Sequence, residues 1–306
     1  MALKIAFIGL GAMGGPMASN IIRKGTPVTV FDISQANLDR VVAVGGTRAA
    51  SGAEAAKDAD IVVTMLPATK HVLDVVTGEN GVLDNMKPDG ILMDMSTIAP
   101  SGTDQLITVC SARGVRFIDT PVGRLASHAA AGKSMFMVGC DDEALFAAVK
   151  PLLDAMGDTI IRCGKAGTGI RVKVVNNFQV LSIAQITAEA LVLAASLGLD
   201  VETVKSVNGS TTATNGQMQV NFATKALVGD TVPGFTIELA HKDLALAMEA
   251  AGELGLDLPM GATAKATYDT ARQGPFGVKD FSALLDYASE QAGIVPPRLK
   301  PAASAA

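Results

Sequence analysis

Residues 3–24 read LKIAFIGLGAMGGPMASNIIRK, and the way this stretch folds decides the rest. It opens on an apolar run, 3–9, short enough for a buried strand. Gly9-Leu10-Gly11-Ala12-Met13-Gly14 follows with the spacing G-x-G-x-x-G, and a helical pattern runs from Pro16 to Lys24. A second apolar run, PVTVFD (27–32), ends in Asp32. Glycine makes up 31 of 306 residues, so the spacing alone is weak. Strand, glycine turn, helix and a second strand ending in an acid together predict a dinucleotide-binding unit. There the glycines permit a tight turn and close approach of backbone to a pyrophosphate, and the helix N-terminus favours its charge. This assigns Gly9, Gly11, Ala12, Met13 and Gly14 to the pyrophosphate turn, and Asp32 to the adenosine ribose. The Asp32 carboxylate would repel a 2′-phosphate, and Ile33, Ser34 and Gln35 bring no guanidinium to hold one. The expected cofactor is therefore NAD rather than NADP.

Outward from this unit, short apolar runs at 60–66, 90–95, 115–119, 134–139 and 158–163 predict further strands, with helical patterns between most of them. Such alternation predicts an α/β fold, a Rossmann domain with a mainly parallel sheet. Near residue 165 the alternation stops. Helical periodicity then covers 169–197, 200–208, 215–228, 241–254, 260–273 and 280–291. The expected organisation is an NAD-binding domain over 1–164 and an all-helical substrate and dimerisation domain over 165–295. The segment KAGTG (165–169) leads from one to the other through a long helix, and PPRLKPAASAA (296–306) is expected to be a mobile tail.

Composition narrows the function. A chain of 306 residues suits about two domains, and 49% apolar with 18% charged residues is globular. A net charge of −5, with no run of basic residues, argues against a nucleic-acid partner. Cys110, Cys140 and Cys163 are odd in number and widely spaced, and His71, His128 and His241 are scattered. That pattern suits neither a disulfide framework nor a metal site, and a cytoplasmic location is expected. The N-terminal apolar run ends in glycines rather than a cleavage site, so it reads as a strand and not a signal peptide. The longest apolar region, 172–199, holds Lys173, Asn176, Asn177, Gln179, Gln185 and Glu189, and is read as too polar to cross a membrane. Its length exceeds what one small domain covers, which predicts a homodimer or homotetramer.

Lys173, Asn176 and Asn177 stand at i, i+3 and i+4 of that region and share one helical face. An ammonium and two amides on an otherwise apolar helix are costly unless paired or used. Two readings follow: a structural polar network, or a proton donor with amides that orient it and a substrate.

At these residues the chain resembles the β-hydroxyacid dehydrogenases, the group containing 3-hydroxyisobutyrate dehydrogenase and tartronate semialdehyde reductase. The resemblance covers nearly the whole chain, through FIGLGAMGGPMASN (7–20), MLP (65–67), DMSTIAP (94–100), DTPVG (119–123), KVVNN (173–177) and HKDLALAMEAA (241–251). It implies a Rossmann domain joined by a long helix to an all-helical domain. It makes Lys173 the catalytic lysine and Asn177 its partner. Leu66, Pro67, Thr97 and Lys242 would contact the nicotinamide half of the cofactor, and Ser96, Gly123, Asn176 and Asn177 the substrate. Most members read D-x-P-V-S-G-G at 119–125, where serine and glycine amides hold a carboxylate. Here Gly123-Arg124-Leu125 replaces them. A guanidinium offers planar, multi-donor recognition of an oxyanion; the other reading is an arginine turned to solvent. PVGR, with GIRVKVVNN and LAHKDL, is similar to the branch whose aldehyde substrate carries a sulfonate bound by that arginine.

The expected activity is NADH-dependent reduction of a short anionic semialdehyde, with a sulfonate as the first choice. A carboxylate semialdehyde of the 4-hydroxybutyrate or 3-hydroxyisobutyrate type is the alternative. An anion near Lys173 would help keep the lysine protonated. A non-catalytic dinucleotide-binding module, as in family relatives that lack the lysine, is the alternative of another class. Expected partners are a small anionic substrate and further copies of the chain, with no nucleic acid, membrane or metal.

Overall fold

Ile5, Ala6, Phe7 and Ile8 are all buried, as expected for a central parallel strand covered on both faces. The computed structural model describes residues 3–300. Its strands are β1 (Ile5–Ile8), β2 (Val28–Phe31), β3 (Thr47–Arg48), β4 (Ile61–Thr64), β5 (Ile91–Asp94), β6 (Arg116–Asp119), β7 (Val122–Gly123), β8 (Ser134–Gly139) and β9 (Gly157–Gly164). Seven correspond to the apolar runs; β3 and β7, two residues each, were too short to leave a pattern. The sheet order is β3-β2-β1-β4-β5-β6-β8-β7, with β9 also paired to β8. Pairing is parallel from β3 through β6. β8 runs antiparallel to β6 and β7, and parallel to β9.

Helices α1 (Gly14–Arg23), α2 (Gln35–Val42), α3 (Gly52–Ala56), α4 (Thr69–Thr77), α5 (Val82–Asn85), α6 (Pro100–Ala112), α7 (Ala126–Ala130) and α8 (Glu143–Met156) connect these strands. Successive strand residues face opposite ways. Phe7, Val63, Met93 and Phe136 pack on one face of the sheet with Met17 and Ile21 of α1 and Leu145 and Val149 of α8. Ala6, Val62 and Leu92 pack on the other with Val72 of α4 and Leu106 of α6.

α9 (Thr168–Ser196) is a single helix of 29 residues. Two compact units divide inside it, between Val174 and Val175, ten residues beyond the junction expected at 164. The first turn of α9 belongs to the sheet unit because Asp119 accepts hydrogen bonds from Gly167 N (2.6 Å) and Ile170 N (2.7 Å). By length and apolar composition α9 could cross a membrane, so its polar residues do not exclude that, contrary to the sequence reading. Burial is what marks it as a core helix: Leu181, Ala184, Ala188 and Leu191 are all inside the second unit.

The second unit continues with α10 (Val201–Gly209), α11 (Phe222–Thr224), α12 (Ile237–Glu253), α13 (Pro259–Ala271) and α14 (Leu284–Gln291). Short π and 3-10 turns at Gln217–Asn221 and Ala226–Val228 flank α11 where one helix was expected. The core gathers around Tyr268 and Phe222, both fully buried. The tail, expected to be mobile from 296, is docked as far as 300. Leu299 N donates to Leu227 O (2.8 Å), Arg298 pairs with Asp286 (2.6 Å) and Lys300 with Asp200 (3.0 Å). Residues 301–306 of that tail lie outside the described residues.

Candidate active site

The carboxyl edge of the parallel strands collects the residues singled out in the first unit. After β1 comes the glycine turn. Gly9 has φ +95°, and a Cβ there would lie 2.3 Å from Met65 O, so only glycine serves. A Cβ on Gly14 would lie 2.0 Å from Gly9 O, so here glycine lets the helix close on the strand. At Gly11 an added Cβ would meet nothing within 4 Å. No protein contact demands glycine there, which leaves room for a ligand to approach the backbone. α1 begins at Gly14 with no side-chain cap and no acid in its first turn, so no side chain of the helix start itself answers its dipole.

Asp32 follows β2. Its Oδ2 accepts from Leu10 N (2.6 Å) and its Oδ1 from Ser34 N (2.7 Å). One carboxylate therefore ties the glycine turn to the second strand, and each oxygen keeps a lone pair for a ribose hydroxyl. Open backbone at Gly11, an uncapped helix start and an acid at the second strand end fit NAD.

Leu66 and Pro67 follow β4, and Ser96 and Thr97 follow β5. Ser96 is 1% exposed, and its Oγ accepts from Leu66 N at 2.9 Å. The substrate contact expected of Ser96 is not what this geometry offers: the hydroxyl is turned inward and holds the MLP turn. Thr97 is half-buried between buried Ser96 and Ile98. Gly123 is buried in β7, opposite Met135.

Asp119 ends β6, Arg124 follows β7, and the start of α9 is held by Asp119. Asp119 and Asp94 are register partners across β6 and β5 and both are buried. Burial pushes the Asp94 carboxyl up to about 6, against hydrogen bonds from Ser96 and Thr64, and it also raises Asp119. Lys173 stands three residues, under one helical turn, after Ile170, whose amide Asp119 holds. Arg124 is not simply turned to solvent. Its guanidinium donates to Asp158 Oδ1 (2.6 Å), Lys133 O (2.6 Å) and Thr159 Oγ1 (2.9 Å).

In the second unit, buried Asn177 donates from Nδ2 to Asp243 Oδ2 (2.7 Å), and Lys242 Nζ lies 2.6 Å from Asp243 Oδ1. Asn176 donates to Asn177 Oδ1 (3.3 Å). One buried carboxylate thus orients two expected site residues. Sequence reasoning missed Asp243, although HKDL contained it. It likewise missed the role of Asp119 in DTPVG, while Asp158 stands in no motif. Among the described residues no cluster of three or more His, Cys, Asp and Glu is placed to hold a metal.

Fold and glycine turn define a dinucleotide-binding protein with a helical second unit. Residues 4–164 match the NAD binding domain of 6-phosphogluconate dehydrogenase, and residues 167–288 match the family described as NAD-binding of NADP-dependent 3-hydroxyisobutyrate dehydrogenase. The chain is 41% identical over 290 residues to a 3-sulfolactaldehyde reductase of Escherichia coli (strain K12), covering 95% of this chain and 97% of that one. It is 36% identical over 293 residues to a 2-(hydroxymethyl)glutarate dehydrogenase of Eubacterium barkeri, covering 96% and 97%. Among solved structures it is similar to Mycobacterium tuberculosis 3-hydroxyisobutyrate dehydrogenase with L-serine, at a TM-score of 0.86 and 34% identity over 94% of this chain and 99% of that one. The chain belongs to the β-hydroxyacid dehydrogenase family, in the group of 3-hydroxyisobutyrate dehydrogenase. It is an enzyme of NAD-dependent oxidoreduction.

Proposed function

We propose that this enzyme reduces 3-sulfolactaldehyde to 2,3-dihydroxypropane-1-sulfonate with NADH, with Lys173 as proton donor and Arg124 as the group that binds the sulfonate. The observation that carries this reading is Arg124 itself. It replaces the amide-lined turn used for carboxylates, and it stands past β7 on the carboxyl edge, where open parallel sheets take their ligands. The likeness to a 3-sulfolactaldehyde reductase supports the same substrate.

Asp32 favours NADH over NADPH through its charge, and the glycine turn takes the pyrophosphate. When bound, NADH would supply the hydride that reduces the aldehyde carbon. Lys173 gives a proton to the carbonyl oxygen as that carbon is reduced, so that aldehyde, NADH and a proton become alcohol and NAD. Asn177, oriented by Asp243, holds the reacting oxygen, and Asn176 adds a donor beside it. Leu66, Pro67 and Thr97 line the nicotinamide side, held in place by Ser96, and Lys242 meets the cofactor. A sulfonate has three acceptor oxygens, and a guanidinium satisfies more of them than two amides do. The exposed apolar residues along α9 and in the turn just past it, among them Val175, Ile186, Leu193 and Leu197, favour assembly as a dimer or tetramer.

The test is a panel of sulfonate, carboxylate and neutral aldehydes on three proteins. Lys173→Ala is expected to lower kcat by about 10²–10⁴ on every substrate, with NADH affinity retained. Arg124→Ala is expected to lower kcat/KM at least about tenfold for anionic aldehydes, most for the sulfonate. Near wild-type turnover by the lysine variant, or equal loss on neutral aldehydes by the arginine variant, would overturn the assignment.

A further inference from the structure

We infer that Asp158 is a specificity-determining residue: it serves as an internal counter-ion to Arg124, so that a substrate's anionic group must compete with a carboxylate for the guanidinium. This rests on the reading of Arg124 as the anion-binding group.

The arrangement is a closed ring. Arg124 NH1 donates to Asp158 Oδ1 (2.6 Å) and Arg124 NH2 to Thr159 Oγ1 (2.9 Å), while the Thr159 hydroxyl donates to Asp158 Oδ1 (2.8 Å). NH1 also donates to Lys133 O (2.6 Å), which precedes β8. These partners lie 9, 34 and 35 residues away. Only the pairing of β7 with β8 and of β8 with β9 brings them to one place. Arg124 holds φ +72°, a left-handed conformation that a non-glycine residue keeps when its surroundings fix it. The ring is such a surrounding, and it aims the side chain across the sheet edge toward β9.

The ring is also exchangeable. The side chains of Arg124 and Asp158 are 33% and 47% exposed, and an ion pair that open changes an equilibrium by no more than about fivefold. The Thr159 hydroxyl and the Arg124 guanidinium hold the Asp158 carboxyl below the ordinary carboxylate range, so it remains a charged competitor. A neutral aldehyde cannot displace a carboxylate from a guanidinium. An anion can, because it offers the same charge-assisted hydrogen bonds, and a group with three acceptor oxygens can take both NH1 and NH2. Asp158 thus damps affinity for anions in general and sets how strong an acceptor the site requires.

Asp158→Asn keeps the shape and removes the competing charge. The expected result is a rise of about threefold to fivefold in the ratio of kcat/KM for 3-sulfolactaldehyde or succinic semialdehyde over that for glyceraldehyde. Thr159→Val, which loosens the ring without touching the charge pair, should move the ratio the same way by less. Both effects should vanish when Arg124 is alanine, as the double-mutant cycle requires. An unchanged or lower ratio in Asp158→Asn, with Arg124→Ala selectively harming anionic aldehydes, would overturn the counter-ion while leaving Arg124 as the anion site. If Arg124→Ala harms neutral and anionic aldehydes alike, the anion-binding reading itself falls, and the ring is a clamp on β7, β8 and β9.

Discussion

Asp94 is a residue of the sheet whose chemistry burial changes plainly. It sits at the end of β5, takes a hydrogen bond from Thr64 Oγ1 (2.8 Å), and faces Asp119 across the register of β5 and β6. Burial is the main cause that lifts its carboxyl to about 6, and the charge of Asp119 adds to it. The folded state therefore holds this proton more tightly than the unfolded chain does. A raised acid contributes stability that is present below the unfolded value near 4 and is lost as pH rises through about 6. Surface acids held down by ion pairs, such as Asp60 and Asp230, act with the opposite sign, so the test is a difference. Unfolding free energies of wild type and Asp94→Asn should be compared from pH 4 to pH 7. Wild type is expected to lose about 2 kcal/mol relative to the variant across that range. A difference that stays flat with pH would refute the assignment.

The glycine turn between β1 and α1 separates two uses of one residue type. Gly14 is glycine because the protein is close: its added Cβ would meet Gly9 O at 2.0 Å. Gly11 is glycine although the protein is far away. Gly14→Ala is expected to destabilise the fold, since backbone cannot give way at that distance. Gly11→Ala is expected to unfold within about 0.5 kcal/mol of wild type, as for a substitution into open space, yet to bind NADH at least about tenfold more weakly. Wild-type NADH affinity in Gly11→Ala, measured by calorimetry, would remove the turn from the cofactor site. The start of α9 is built in the same way. Asp119 reaches the amides of Gly167 and Ile170 because Gly139 and Gly169 leave it room: a Cβ on either would lie 2.1 Å or 2.8 Å from the carboxylate. The cradle sets where α9 begins, and so where Lys173 stands along it.

For the molecule as a whole, α9 is the element that does not stay inside one compact unit. Leu193 and Leu197, 61% and 65% exposed, continue an apolar face beyond the second core. Exposed apolar residues at helical spacing are costly in water and cheap against another copy of the chain. Sedimentation velocity is expected to find a dimer or tetramer, and Leu193→Glu with Leu197→Glu to shift it toward monomer. A monomeric wild type at micromolar concentration would refute the assembly.

Much of this was legible in the sequence. Strand and helix periodicity located seven strands, the glycine turn, the acid after β2 and the change to helices near residue 165, because such signals depend on neighbours a few residues apart. The tertiary structure alone decided the antiparallel turn of the sheet at β8, the short β3 and β7, and the docking of residues 296–300. It also decided the partners of the expected site residues: Asp243 for Asn177, 66 positions on, Asp158 for Arg124, 34 positions on, and Ser96 for Leu66, 30 positions on. Residue type tells that a buried amide or a guanidinium needs a partner. Which partner it finds is set by sheet register and helix packing, which bring distant segments within hydrogen-bond reach and leave no periodic trace in the chain.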